Sequence, residues 1–330
     1  MEFLKEKIKS VKGDLSEKTL MNYVSQVKNI LIKEFKIDKD DVNKLNKYYK
    51  NLDLWLYNKH KIDNYIDNLK TPGTKKVYYS TLLTLLNADD NKDEDYINYI
   101  VEKQKGIYAL LDYKKSAQKD EQSDSLVSYE QYKALLEILE KNQSKQQEYV
   151  MFLILWHIPL RNEIGNIKYI KSTTFKNLSS EELKNNNYLI VSTKELKLHI
   201  ADYKTSKTYG IRTIKITDKD LKNAIREYLK KNKHVDNNYL FTYPKDFMNG
   251  IFKIPIETKY LTNLLSNISK KHIGFGLTET NIFKSVVRYD LDRLDSIESK
   301  RDYLLHKSQQ RGTSYKTILD YYNIPLKSNK

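Results

Sequence analysis

The chain contains no cysteine, and that one absence removes disulfide scaffolds, thiol nucleophiles and cysteine-type zinc sites together. Nor does it hold an apolar run approaching the roughly 18 residues that a membrane-spanning helix needs. No charged-then-apolar leader opens it, so neither secretion nor membrane insertion is indicated, and a soluble intracellular protein is expected. Acidic residues are in short supply: 43 Asp+Glu face 58 Lys+Arg, leaving a formal charge of +15 and a pI near 9.3. That imbalance favours a polyanionic partner, nucleic acid first, over a small-molecule substrate. The 27 tyrosines, with abundant Asn, Lys and Ile, point to an AT-rich coding composition, so lysine abundance in itself is weak evidence. With 330 residues the chain is long enough for two domains with sizeable cores.

Y-V-M-F-L-I-L-W-H-I-P-L, from Tyr149 to Leu160, carries no Asp, Glu, Lys or Arg and ends at Arg161. Its apolar residues are not confined to one stripe, which suits a helix buried on all sides. The stretch delivers Arg161 to the edge of a core. There the guanidinium either snorkels to solvent or grips an anion.

Around this stretch the chain reads mainly α with a small antiparallel β-sheet. Ser16 caps an amphipathic helix through Leu20, Val24, Val27 and Leu31. A helix over 53–69 follows, stopped by Thr71-Pro72-Gly73. Further helices are expected from Thr74 and over 95–111, so residues 1–112 form a helical bundle. Residues 113–126 are polar and of mixed charge, the composition of a solvated linker. Residues 127–330 form the second domain. Ser128 and Gln131 make a capping box, and the buried helix comes next. Short strands are expected over 188–192, 196–203 and 211–216, the last two joined as a hairpin through K-T-S-K-T-Y-G. Helices then recur over 218–231, 258–271, 280–294 and 299–310, with one more after Ser314.

Four positions in the second domain suit contact with a phosphodiester: Arg161, Lys204 on the hairpin connection, Arg288 in I-F-K-S-V-V-R-Y-D, and a tyrosine of Y-K-T-I-L-D-Y-Y. Each has a structural alternative. Lys204 could be an ordinary turn lysine, with Lys207 competing for its role, and Arg288 could pair with Asp290 or Asp292.

In order and spacing these segments resemble the catalytic domain of the tyrosine recombinases, the phage-integrase family, and of the related type IB topoisomerases. I-P-L-R-N-E-I resembles the motif of the first arginine, with Glu163 close behind Arg161. Y-K-T-S-K-T-Y-G-I-R-T-I-K-I resembles the lysine hairpin and its following strand, placing the lysine at Lys204. S-V-V-R resembles H-x-x-R at Arg288. R-G-T-S followed by Tyr322, nine residues after Thr313, resembles L-G-H-S and the nucleophilic tyrosine. S-E-K-T-L-M-N-Y-V-S-Q-V-K-N-I-L is similar to the opening helix of the family's DNA-clamping domain, so the resemblance spans nearly the whole chain. There are departures. Ser285 stands where the family has histidine, and Thr313 where it has histidine or tryptophan. A second register makes His306 the histidine and Tyr315 the nucleophile. Tyr322 is preferred because Gly312 supplies the turn, with Tyr321 and Tyr315 as alternatives.

The resemblance implies a site-specific recombinase or integrase that cuts and rejoins double-stranded DNA through a 3′-phosphotyrosyl intermediate, and the composition suits a virus, a mobile element or an AT-rich microbe. Arg161 and Arg288 would neutralise the non-bridging oxygens, Lys204 would protonate the departing 5′ oxygen, and Tyr322 would attack. It implies no metal and no cofactor, and a homotetramer on synapsed DNA. A type IB topoisomerase and a catalytically weakened DNA-binding relative are the alternatives.

Overall fold

The computed structural model describes residues 1–13, 15–121 and 126–322, with side chains described for 1–13, 15–111 and 126–319. The chain is mainly helical with one small sheet, and it divides into two compact units, Met1–Gln122 and Ser123–Lys330. Among the described residues no helix is long and apolar enough to cross a membrane.

The N-terminal unit consists of α1 (Glu2–Lys12), α2 (Glu17–Glu34), α3 (Val42–Lys50), α4 (Lys59–Asp67), α5 (Pro72–Ala88) and α6 (Glu94–Glu121). Ser16 caps α2 by accepting the Thr19 N–H, and Leu20, Val24, Val27, Ile30 and Leu31 are its buried face. The helix expected over 53–69 is broken. Asn51 accepts from the Asp53 N–H to start one short turn, and Asn58 accepts from the Lys61 N–H to start α4. Between them Trp55 and Leu56 turn fully into the core. Side chains that compete for backbone donors restart the helix where apolar spacing alone would have continued it. Likewise α5 starts at Pro72 rather than Thr74, because Thr71 caps it and proline fits the first helical turn. The 113–126 stretch is helical as far as Glu121, as the end of α6. Its Lys, Gln, Ala and Glu are good helix formers as well as hydrophilic.

The C-terminal unit opens with α7 (Tyr129–Lys141), whose capping box between Ser128 and Gln131 is formed in both directions. Next comes α8 (Gln146–His157), in which every residue from Val150 to Leu155 is buried. It ends at His157, earlier than the apolar run does. Pro159 disfavours helical backbone at the residue before it, and Ile158 is extended, at φ −125° and ψ 124°. Arg161 therefore sits in a loop beyond the helix, leading into a 3-10 turn over Asn162–Asn166.

The sheet has four strands in the order β1 (Ile167–Lys171), β2 (Asn187–Val191), β3 (Leu196–Ile200) and β4 (Arg212–Ile216). β2, β3 and β4 form an antiparallel meander, with Leu198 opposite Leu189 and Ile214. β1 adds in parallel beside β2, Ile167 opposite Asn187, so the sheet is mixed. The crossover between them carries α9 (Ser172–Phe175) and α10 (Ser180–Asn185). β1 escapes a reading by apolar runs because I-K-Y-I-K interleaves lysines. The connection from β3 to β4 is a longer excursion than a plain hairpin and contains a single helical turn, α11 (Ser206–Tyr209). α12 (Lys219–Lys231), α13 (Pro244–Met248), α14 (Thr258–Ile273), α15 (Glu279–Asp292), α16 (Ile297–Arg311) and α17 (Tyr315–Tyr322) complete the unit. α7, α12 and α15 surround α8, and the sheet's Leu189, Leu196 and Leu198 join the same core.

Candidate active site

Arg161 is carried by the loop that leaves α8, between buried Leu160 and the 3-10 turn containing buried Glu163 and Ile164. Several bonds hold this loop to two other segments. The first is the connection after β3. Asn187, buried at the head of β2, accepts the N–H groups of Ala201 and Asp202 through Oδ1, each at 2.8 Å. Its Nδ2 donates to Asn166 Oδ1 at 2.6 Å and to the Asp202 carbonyl at 2.7 Å. One amide thus joins the end of the Arg161 loop to the turn that presents Lys204.

The second is the turn between α16 and α17. Thr205 Oγ1 donates to the Gly312 carbonyl at 2.6 Å. Gly312 ends α16 with left-handed backbone, φ 62° and ψ 55°, and a Cβ there would collide with the Tyr203 ring, so glycine meets two requirements at once. Arg311, the last residue of α16, is fully buried. It donates to the Leu160 carbonyl at 3.1 Å and its guanidinium lies 4.2 Å from the centre of the Phe283 ring on α15.

Arg212, at the start of β4, lies among all three segments. Its Nη2 is 3.0 Å from Glu163 Oε1, an ion pair with both side chains buried. Its Nη1 donates to the Gln310 carbonyl, and its guanidinium carbon is 3.9 Å from the centre of the Tyr203 ring. Burial raises the Tyr203 hydroxyl pKa, and the Arg212 and Arg161 charges oppose that rise. Tyr203 remains a phenol, donating to the Gly210 carbonyl at 2.7 Å.

Within this framework Arg161 is partly exposed and Lys204 exposed. Neither side chain makes a hydrogen bond or ion pair with the described residues. Lys204 is exposed because its neighbours Tyr203 and Thr205 take the inward-facing positions. Lys207, its competitor, lies on α11 and is also exposed. Arg288 is exposed on α15 beside Tyr289, whose ring lies 6.0 Å from that of Trp156 in the last turn of α8. Tyr289 also stacks on Tyr129, centroids 4.4 Å apart. α15 is thereby held against the end of the helix that leads to Arg161.

Ser285 is buried and its Oγ has no hydrogen-bond partner among the described residues. Thr313 is also buried, its N–H donating to the Ser308 carbonyl at 3.0 Å. His306 is exposed on α16, while Tyr315, which opens α17, packs against the small cluster of Phe283, Val287, Leu291, Leu304 and Ile318. Leu304 is buried but Leu305 is 45% exposed, so only one of that pair faces the core. Ser314 Oγ accepts from the Thr317 N–H at 3.0 Å and starts α17, whose last residue is Tyr322. The side chains of Tyr321 and Tyr322 lie outside the described residues.

Sequence reading passed over Arg311 and three further groups. Lys284, one helical turn before Arg288, has its pKa lowered by burial. Lys307 is lowered by burial against the pull of Asp290. His157 is lowered by burial, with Asp218 opposing and Lys307 reinforcing. For Lys284 the i, i+4 spacing to Arg288 is a usable signal. Nothing in the sequence marks Lys307 as buried. Among the described residues no three His, Asp or Glu side chains come together as a metal-binding group.

No known protein family matches the chain by sequence. No curated protein matches it either. Among solved structures it is similar to the one titled "Crystal structure of XerA recombinase", at 14% sequence identity, over 98% of this chain and 94% of that one, with a TM-score of 0.41.

Proposed function

We propose that the protein cuts and rejoins double-stranded DNA through a 3′-phosphotyrosyl link, as a site-specific recombinase or integrase. The observation that carries this is the pairing of two facts. The segments bearing Arg161 and Lys204 and the turn leading to Tyr322 are bonded to one another, and the Arg161 and Lys204 charges have no partner among the described residues. Cations held in place without carboxylates suit an anion supplied from outside, and the +15 chain suits a polyanion.

In this mechanism Arg161 and Arg288 offer forked donors to the two non-bridging oxygens of a phosphodiester, where charge grows as attack proceeds. The Tyr322 oxygen bonds to phosphorus and the phenolic proton passes to solvent. The bond to the 5′ oxygen breaks, its electron pair leaves with that oxygen, and Lys204 supplies the proton. Reversal with another 5′ hydroxyl restores Lys204 and rejoins the strand. Residues 1–112 and 127–330 act as DNA-clamping and catalytic domains around the linker, and four copies assemble on two synapsed duplexes.

Ser285 favours a second reading, a DNA-binding relative without chemistry, because a buried hydroxyl with no partner stands where the family has an imidazole. A library of nicked duplexes that trap a cleaved strand separates the two. An adduct surviving SDS in the wild type and lost in Tyr322→Phe supports the enzyme. Binding without any adduct supports the relative. Recombinant product from two labelled duplexes distinguishes a recombinase from a type IB topoisomerase, which relaxes supercoils as a monomer.

A further inference from the structure

We infer that Arg212 is a positioning residue that sets the three reacting groups in register through one guanidinium, an inference that rests on the proposed strand-cutting function. Two of its contacts adjoin a member of the site, and the third lies at the end of the helix before α17. Glu163, paired at 3.0 Å, is two residues after Arg161. Tyr203, whose ring lies 3.9 Å from the guanidinium carbon, immediately precedes Lys204. Gln310, whose carbonyl accepts from Nη1, lies in the last turn of α16, just before the turn into α17 and Tyr322.

Elementary energetics gives no reason to bury this ion pair for stability alone. Desolvating a guanidinium and a carboxylate costs several kcal/mol per ion, and well-packed apolar replacements are often neutral or better. Arg212 is 7% exposed, and its Nε is buried without a hydrogen-bond partner among the described residues, so the fold tolerates an orphaned donor to keep the group where it is. What the planar fork supplies, and an apolar side chain cannot, is simultaneous directional contact with three chain segments distant in sequence. The reaction needs that registration, since an error of about 1 Å in the placement of reacting groups can cost about 100-fold in rate.

The test compares wild type, Arg212→Lys and the double variant Arg212→Met/Glu163→Gln, which leaves no unpaired buried carboxylate. DNA affinity, single-turnover adduct formation and thermal unfolding are measured for each. Cleavage is also measured on a duplex with sulfur in place of the bridging 5′ oxygen, because a thiolate departs without needing a proton. Arg212→Lys is expected to bind DNA within about twofold of wild type and to form adduct about 10- to 100-fold more slowly. Its deficit is expected to shrink several-fold on the sulfur substrate, where misplacement of Lys204 no longer matters. A folded Arg212→Lys that cleaves at the wild-type rate overturns the positioning role alone. An equal deficit on both substrates shows that Arg212 does not place Lys204 and overturns the three-way role, and loss of folding in both variants assigns Arg212 to stability and overturns it as well. Absence of adduct from wild type overturns the strand-cutting function and the positioning role with it.

Discussion

In the N-terminal unit the buried polar groups are mostly phenols, whereas in the C-terminal unit they include guanidinium groups. Half-buried Tyr57 places its hydroxyl 2.8 Å from Asp89 Oδ2 and 2.7 Å from the Asn91 carbonyl, one proton shared between two acceptors. Tyr79 and Tyr96 are buried outright, and burial raises their pKa values so that they stay neutral. A neutral phenol brings a large apolar ring into a helix seam at far less cost than a charge, and the Tyr79 and Tyr96 hydroxyls are buried with no hydrogen-bond partner among the described residues. The C-terminal unit buries Arg212 and Arg311 beside the loop that carries Arg161. Those charges are costly there, and helix packing alone does not call for them. The difference teaches that polar burial in the first unit follows from building a bundle, while in the second it marks a place where backbone has to be fixed.

The sharpest way to break this comparison is to remove the partner of a buried charge. Glu163→Ala leaves Arg212 uncompensated and is expected to destabilise the C-terminal unit by about 3–5 kcal/mol in urea denaturation. A loss below ~1 kcal/mol would place this pair with ordinary surface bridges. Next in size, Arg161→Lys is expected to slow adduct formation about 100- to 1,000-fold. Unfolding should shift by no more than about 0.5 kcal/mol, since Arg161 makes no side-chain bond to the described residues. Rate and stability falling together would make Arg161 another structural arginine.

A third prediction concerns His234, held between the Tyr228 and Phe252 rings. Burial lowers its pKa from 6.5 to about 4. Between those values the unfolded chain binds the proton and the folded chain does not, so stability is full above pH 6.5 and declines as the pH falls toward 4. Denaturation of the wild type at pH 7 and pH 5 should differ by about 2 kcal/mol from this group, and His234→Phe should remove that part of the slope. The smallest effect belongs to the first unit. Tyr57→Phe is expected to cost about 1 kcal/mol, the net worth of its hydrogen bonding, with no change in cleavage rate.

Much of the C-terminal helix order was legible in the sequence because caps and apolar spacing agree there. Ser128 with Gln131, Asp218 before α12 and Gly312 after α16 all act where their residue types suggest. Legibility failed where a side chain overrode the local pattern: Asn58 restarting a helix, Pro159 stopping α8 short of Arg161, Asn187 drawing the chain away from β3 after Ile200. β1 was hidden because Lys168 and Lys171, three residues apart, break the period-two pattern of a strand. The candidate cations could be named from order and spacing. Their framework could not, because Arg212, Glu163 and Arg311 act through contacts between residues 49 to 151 positions apart in the chain.

The central claim is that separately encoded cations and a tyrosine of the last helix act on one DNA phosphate. Its most direct measurement is mass spectrometry of the tryptic peptides from a wild-type adduct trapped on nicked duplex DNA. The expected result is a nucleotide linked by its 3′ phosphate to Tyr322. A nucleotide on a residue outside α17, or DNA binding with no covalent product on any nicked duplex, would contradict it.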